Sequence, residues 1–337
     1  MACVLDRMAA GPENRPPGRR QVSFRGVAAA ANEEQDVVLD RSDGQTRRDV
    51  LRLGAAGAAG LLTGGLRGLA AEAVAVAAPP PRKKRIPVGL QLYSVRNECG
   101  KDKGKNLTKV IEAVAKMGYE AVEFAGYYGW GAKDLKKLLD ANGLTCCGTH
   151  TGLGALQGDN FQRTVDLHKT LGAKFIIVPG MPRQYTRTAE GWKKAAGVFN
   201  EIAAKLEPLG MYTGYHNHSH EFHKMGDTTP WDIFFGNTHE RVVMQLDTGN
   251  CMGGKGDPVA IMRKYPGRQL TLHMKEHGGT PKTVVGEGTC PWKELIRLAR
   301  TIGKTQWLVI EHERRGQSPL EAVAKCITNF RKIQAEV

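Results

Sequence analysis

Five strand-like runs in the later part of this chain each stop on a side chain that can bind a metal or move a proton. They are Leu144 to His150, Met211 to His216, Val242 to Asp247, Leu270 to His273 and Trp307 to Glu311. Each run is apolar or β-branched, and the polar residue comes where the run ends. If parallel strands close into a barrel, all their C-terminal ends open onto one face, so residues distant in sequence meet around one cavity. His, Asp, His and Glu gathered there make a divalent-metal site of mixed nitrogen and oxygen donors.

The segments between these runs support that arrangement. Val88 to Tyr93, Glu120 to Phe124 and Lys174 to Val178 read as further strands, and Trp307 to Glu311 as the eighth. Amphipathic stretches alternate with them: Leu107 to Met117, Ala132 to Ala141, Asn160 to Leu171, Ala189 to Leu206, Trp231 to Phe235, Pro258 to Lys264, Pro291 to Ile302 and Pro319 to Ile333. Eight strand–helix units predict a (β/α)8 barrel. A doubly wound open sheet shares the alternation but carries a glycine-rich phosphate loop after its first strand. Gln91-Leu92-Tyr93-Ser94 stands in that place.

The first 85 residues differ, being rich in Ala, Gly, Arg and Pro. Without them 252 residues remain of 337, close to the roughly 250 of a single barrel. The expected division is therefore 1–85 as an N-terminal extension and 86–337 as the barrel. Thr46-Arg47-Arg48-Asp49-Val50-Leu51-Arg52 precedes a modestly apolar run from Leu53 to Leu69, followed by Ala71-Glu72-Ala73, Ala75-Val76-Ala77 and Pro79-Pro80-Pro81. A charged start, a short apolar stretch and a small-residue cleavage site describe a secretory signal, and the paired arginines resemble the twin-arginine type. A periplasmic or otherwise exported protein is expected. The run is too weakly apolar to remain as a membrane span.

The net charge is +14, but the lysines and arginines scatter over helix faces without aromatic interleaving. A solvated surface is expected, with no nucleic-acid partner. Of seven cysteines six fall in the barrel segment, with no CxxC. Buried thiols follow, and neither a zinc ribbon nor a disulfide scaffold.

Period-two alternation places His273 and Lys275 on one face of their strand. Asp247, followed by Thr248-Gly249-Asn250, suits a ligand first, with a helix N-cap as the alternative. The tract Tyr215-His216-Asn217-His218-Ser219-His220-Glu221-Phe222-His223 holds four histidines and a carboxylate, too dense for packing alone. Glu123 and His150, at earlier strand ends, could handle hydroxyls or protons.

Together these residues resemble the sugar phosphate isomerase/epimerase superfamily, the xylose-isomerase-like barrels. The carrying pieces are Gly89-Leu90-Gln91-Leu92-Tyr93-Ser94-Val95-Arg96, His216-Asn217-His218 with Glu221-Phe222, Gln245-Leu246-Asp247-Thr248-Gly249-Asn250, His273-Met274-Lys275-Glu276, Gly286-Glu287-Gly288 and Val309-Ile310-Glu311. The resemblance implies one divalent ion (Mn, Mg, Co or Zn) held by His216, Asp247, His273 and Glu311. His216 stands where many epimerases carry a glutamate. The implied activity is isomerisation or epimerisation of a sugar by proton abstraction next to a carbonyl. The alternatives are a metal-dependent lyase or dehydratase on keto-glycosides or inosose-like substrates, and a sugar-binding barrel without turnover. Glu311 is expected as ligand and base, Lys275 or His150 as the polarising or protonating group, and Glu221 beside them in catalysis. Gln91, Glu123, His218 and Glu287 are expected at the substrate. The expected partner is a small sugar, with a homo-oligomer left open.

Overall fold

The computed structural model describes residues 85–337. The Arg47-Arg48 signal and the Pro79–Pro81 linker lie outside the described residues. Eight parallel strands form the sheet: β1 (Val88–Gln91), β2 (Ala121–Phe124), β3 (Thr145–His150), β4 (Phe175–Val178), β5 (Tyr212–His216), β6 (Val243–Gln245), β7 (Thr271–Met274) and β8 (Trp307–Ile310). The order β6-β5-β4-β3-β2-β1-β8-β7 runs around the barrel. It closes between β6 and β7 through an Asp247–His273 bridge, with His273 N donating to Leu246 O at 2.9 Å. The closing seam of the barrel is thus made by two of the expected metal ligands.

The strands are short and buried on both faces, as parallel strands covered by helices must be. On β1, Val88 and Leu90 face the helices while Gly89 and Gln91 face the barrel axis. In the lower barrel Phe175, Ile177 and Val243 pack together with Tyr212, Leu270 and Trp307 against them. Above this apolar plug the inward positions turn polar, and the reactive side chains project there. Gly148 on β3 is needed at this level: a Cβ there would stand 2.7 Å from Glu123 Oε1.

The surrounding helices follow from their sequence spacing. Leu107–Lys116 buries Leu107, Val110, Ile111 and Val114 at i, i+3, i+4 and i+7, and the turn after it uses Gly118 at φ +90°. Ala189–Leu206 starts where Thr188 accepts from Gly191 N, and buries Trp192, Phe199, Ile202 and Leu206. The last helix, Pro319–Ala335, is tied to the start of the barrel: Tyr119 Oη donates to Val323 O and Gln334 Nε2 to Ile86 O, both at 2.8 Å.

All eight strands and eight helices occur where the sequence pattern puts them, with ends shifted by a residue or two. Three short helices were not expected, Arg96–Gly100, Arg183–Thr186 and Thr248–Gly253. All three begin within a few residues of a strand end, where too few residues remain to show a helical period. The six described cysteines are free and buried. Among the described residues no helix is long and apolar enough to cross a membrane.

Candidate metal centre and active site

The ends of β5, β6, β7 and β8 bring His216, Asp247, His273 and Glu311 together. One donor atom from each lies within 4.8 Å of the others, and all four residues are buried. Asp247 is both things its sequence context allowed. Its Oδ1 accepts from Asn250 N at 2.6 Å and caps the helix Thr248–Gly253. Its Oδ2 is buried without a partner, as is His216 Nδ1. Asn217 fixes the Asp247 backbone from both sides, accepting from its N–H at 2.8 Å and donating to its carbonyl at 3.1 Å.

The His273 ring lies between two carboxylates. Its Nδ1 is 2.7 Å from Glu311 Oε2 and 3.8 Å from Asp247 Oδ2, and its Nε2 is 2.6 Å from Glu123 Oε2. Burial alone would lower the imidazole, but Glu123 and Glu311 outweigh it and hold the ring at about 10. Burial lifts Asp247 to about 7, against the pull of Lys275. Burial would raise Glu311 too, yet Lys275 and His273 hold it well below the usual carboxylate range. His216, buried beside His273 and His150, is driven well below an ordinary histidine and is neutral.

This donor set fits a divalent cation. Orphaned buried polar atoms are costly, and a cation would satisfy Asp247 Oδ2. His273 Nδ1 and Glu311, now 2.7 Å apart, would be among its donors. Two imidazoles and two carboxylates suit manganese, cobalt or zinc, and magnesium less well. One bound ion is therefore consistent with the cluster, its identity open.

Below the cluster lies a supporting polar layer. Glu123 has no exposed surface; its oxygens receive Gln91 Nε2 at 2.7 Å, Gln245 Nε2 at 2.8 Å and His273. His150 Nε2 sits 2.8 Å from Gln245 Oε1 and 3.2 Å from Glu123, its ring stacked on His273. Gln91 and Glu123, expected at the substrate, are thus placed beneath the ligands. A carboxylate behind a ligating histidine fixes its tautomer and raises its basicity.

Two other carboxylates stand apart from the cluster. Glu221 is fully buried: Tyr215 Oη donates to it at 2.6 Å and His218 N at 2.9 Å, with His220 Nε2 at 3.1 Å. Its carboxylate is thus engaged in shaping the loop after β5. Glu287 lies exposed in the loop after β7, where it accepts from Val284 N at 3.1 Å. Among the described residues no hydrogen bond or ion pair joins it to the cluster. The neighbours and burial of both carboxylates are things a strand pattern does not report.

At the mouth, Lys275 Nζ lies 3.3 Å from Glu311 and 2.9 Å from Glu313. Burial would lower the ammonium, but Glu311, Asp247 and Glu313 raise it, so it stays charged. His218 is exposed, its ring 5.5 Å from that of His216, and partial burial lowers it from the ordinary value. Gln245, Asn217 and Glu313 were not anticipated as part of the site. Gln245 shares its strand face with Asp247, and Glu313 continues the alternation from Glu311, so both had a signal.

A closed parallel barrel carrying a mixed histidine–carboxylate cluster on its C-terminal face defines a metal-centred α/β-barrel class. The chain belongs to the xylose isomerase-like TIM barrel family, whose profile matches residues 111–333. Among curated relatives, the inosose dehydratase of Klebsiella pneumoniae is 24% identical over 250 residues, spanning 61% of this chain and 82% of that one. The inosose dehydratase of Clostridium beijerinckii is 25% identical over 275 residues, spanning 68% and 90%. A sugar phosphate isomerase/epimerase from Parabacteroides distasonis superposes with a TM-score of 0.64 at 24% identity, covering 76% of this chain and 98% of that structure. At that identity the likeness is one of fold.

Proposed function

We propose that the protein is a metal-dependent lyase that eliminates water or an alcohol next to the carbonyl of a keto-sugar or ketocyclitol. One observation carries this reading. The mouth of the site pairs Glu311 and Glu313 with the Lys275 ammonium, while Glu221, the other carboxylate expected in catalysis, is sealed behind Tyr215 and His218. Reversible epimerisation needs groups on opposite faces that each act as acid and base in turn. An ammonium held charged by three carboxylates serves only as the acid, which suits elimination. The relatives named inosose dehydratase support the same choice.

A divalent ion in the cluster would supply Lewis acidity at the substrate carbonyl. The chain's own residues do the rest. Exposed His218, whose ring makes no hydrogen bond to other described residues, takes the proton from the carbon beside the carbonyl. The electron pair left behind becomes the new carbon–carbon double bond as the adjacent C–O bond breaks. Lys275 gives its proton to the departing oxygen, which leaves as water or alcohol, and solvent restores both groups. Glu311 keeps Lys275 charged and, with His216, Asp247 and His273, would hold the ion.

The test is manganese-loaded protein in D2O with scyllo-inosose and a keto-glucoside, followed by NMR for exchange and by ultraviolet absorbance for the enone. Glu311→Gln should lose the metal and all activity. His218→Gln should keep the metal and lose exchange. Isomerisation or epimerisation, the first expectation from sequence, begins with the same proton abstraction and would appear as exchange with a sugar product and no enone. Bound sugar without exchange would leave a binding barrel and overturn the enzyme reading. We also propose export through the Arg47-Arg48 signal; if Arg47→Lys with Arg48→Lys leaves its distribution between cell fractions unchanged, that reading fails.

A further inference from the structure

Two small cavities adjoin at the mouth after β8. One, of about 240 Å³, is lined by Lys275, Glu276, Glu311, His312, Glu313 and Arg314 and borders the ligand cluster. The other, of about 250 Å³, shares His312, Glu313 and Arg314 with it and adds Ser94, Arg96 and Arg315. The second cavity takes no part in the chemistry proposed above.

Its wall is a set of donors without carboxylate partners. None of Arg96, Arg314 and Arg315 forms an ion pair with a described residue. Arg96 is spent on a carbonyl, Tyr93 O at 2.6 Å, and lies over the Tyr93 ring at 3.9 Å. Arg314 reaches Thr280 O at 2.8 Å and Glu276 O at 3.4 Å. These bonds fix two guanidinium groups in place and leave their charge unanswered. Glu313, the acidic residue of the wall, is turned to Lys275 at 2.9 Å.

Three neutral features point the same way. His312 is 4% exposed and its Nε2 has no hydrogen-bond partner. Its Nδ1 lies 3.9 Å from Cys326 Sγ; the tautomer in which the thiol donates to Nδ1 puts the ring proton on Nε2 and makes it a donor. Ser94 Oγ accepts from His312 N at 3.0 Å and keeps its own proton to give. Pro319, at the start of the long helix Pro319–Ala335, also borders the cavity, and Ser318 makes no side-chain cap there. The positive end of that helix therefore adds to the field.

We propose that this second cavity is an anion subsite, and that the sugar handled at the neighbouring metal centre carries an acidic group, a carboxylate or a phosphate, that docks against Arg96, Arg315 and His312. The proposal rests on the reading of the metal centre as the place where a sugar reacts, and narrows its substrate class. Planar guanidinium forks suit either oxyanion, so the two sources are separated by experiment.

Calorimetry on the manganese-loaded full chain at low salt uses D-glucuronate, D-glucose 6-phosphate and neutral D-glucose as probes. At least one anionic probe should bind about tenfold tighter than glucose, as one or two charge-assisted hydrogen bonds predict. High salt should shrink the margin. The anion with the wider margin identifies the acidic group. Arg96→Gln with Arg315→Gln should remove most of the margin and leave glucose affinity and manganese binding unchanged, which also shows that the variant folds. Equal binding of all three probes would overturn the subsite. So would a margin that survives in the arginine variant, because the metal would then be holding the anion. Binding is read without turnover, so the two readings fail separately. Exchange on neutral keto-sugars with no anion margin sinks only the subsite. An arginine-dependent margin with no exchange on any substrate sinks only the lyase reading.

Discussion

At the scale of single residues, the site separates groups that would hold the ion from groups that hold those ligands. Asp247 allows the two duties to be tested apart. Asn at this position keeps an oxygen to cap Asn250 N but loses the charge that burial disfavours. Asp247→Asn should therefore lower affinity for manganese or zinc by at least about a hundredfold, beyond the range of outer-shell changes. The metal-free protein should melt no earlier at mildly alkaline pH, and calorimetry with thermal melts reads both. Glu123 acts through His273 and His150. Glu123→Gln keeps the shape and one acceptor, so metal affinity should fall by roughly ten- to a hundredfold, the usual cost of an altered partner behind a ligand. An unchanged titration curve would show that Glu123 is only a packing group.

At the scale of elements, the loops carry their own anchors. Glu276 faces away from His273 and Lys275 and is 5% exposed. It receives four donors: His277 N at 2.9 Å, Cys290 N at 3.1 Å, Gly286 N at 2.8 Å and Trp292 Nε1 at 2.8 Å. One carboxylate thus ties the whole loop from β7 to the helix Trp292–Thr301. Glu276→Ala strands several buried N–H groups, each costing about 1–3 kcal/mol. Denaturant unfolding should show a loss of at least about 3 kcal/mol, with hydrogen exchange fastest at 277–290. Glu221 does the same for the loop after β5 by way of Tyr215, which packs against Trp192, Phe199 and Phe234 on the helix side. The position of His218 is therefore set from the helical layer.

For the whole molecule, the buried charges make metal-free stability depend on pH. Asp247, raised to about 7 from 3.8, binds its proton more tightly folded than unfolded, so stability falls as pH rises from about 4 through 7. His273, raised to about 10 from 6.5, also loses its stabilising proton as pH climbs, over a higher window. Glu311, depressed, acts in the opposite sense and matters only as pH falls through the acid range. A divalent ion held by Asp247 and His273 would take the place of their protons. The gain in melting temperature on adding manganese should therefore grow between about pH 5.5 and about pH 8, with proton release on loading. A gain that is flat or shrinks with pH would mean that these groups do not hold the ion.

The sequence by itself determined the strand–helix alternation and the chemistry at the strand ends. Apolar runs, period-two faces and helix stops are local properties of the chain. His216, Asp247, His273 and Glu311 could be read because each ends an inward-facing row, and a barrel sends every such row to one place. Only the tertiary structure decided what the other carboxylates do. Glu123, Glu221, Glu276 and Glu287 look equally available along the chain. Their partners come from elsewhere: Gln91 and Gln245 on distant strands, the Tyr215 hydroxyl, and the backbone of the loop at 277–290. Whether a carboxylate is free to meet a sugar depends on which donors the closed barrel brings to it. The cavity beside β8 is not legible in the chain for the same reason, since Arg96 and Arg315 come to line one cavity only when the last strand closes against the first.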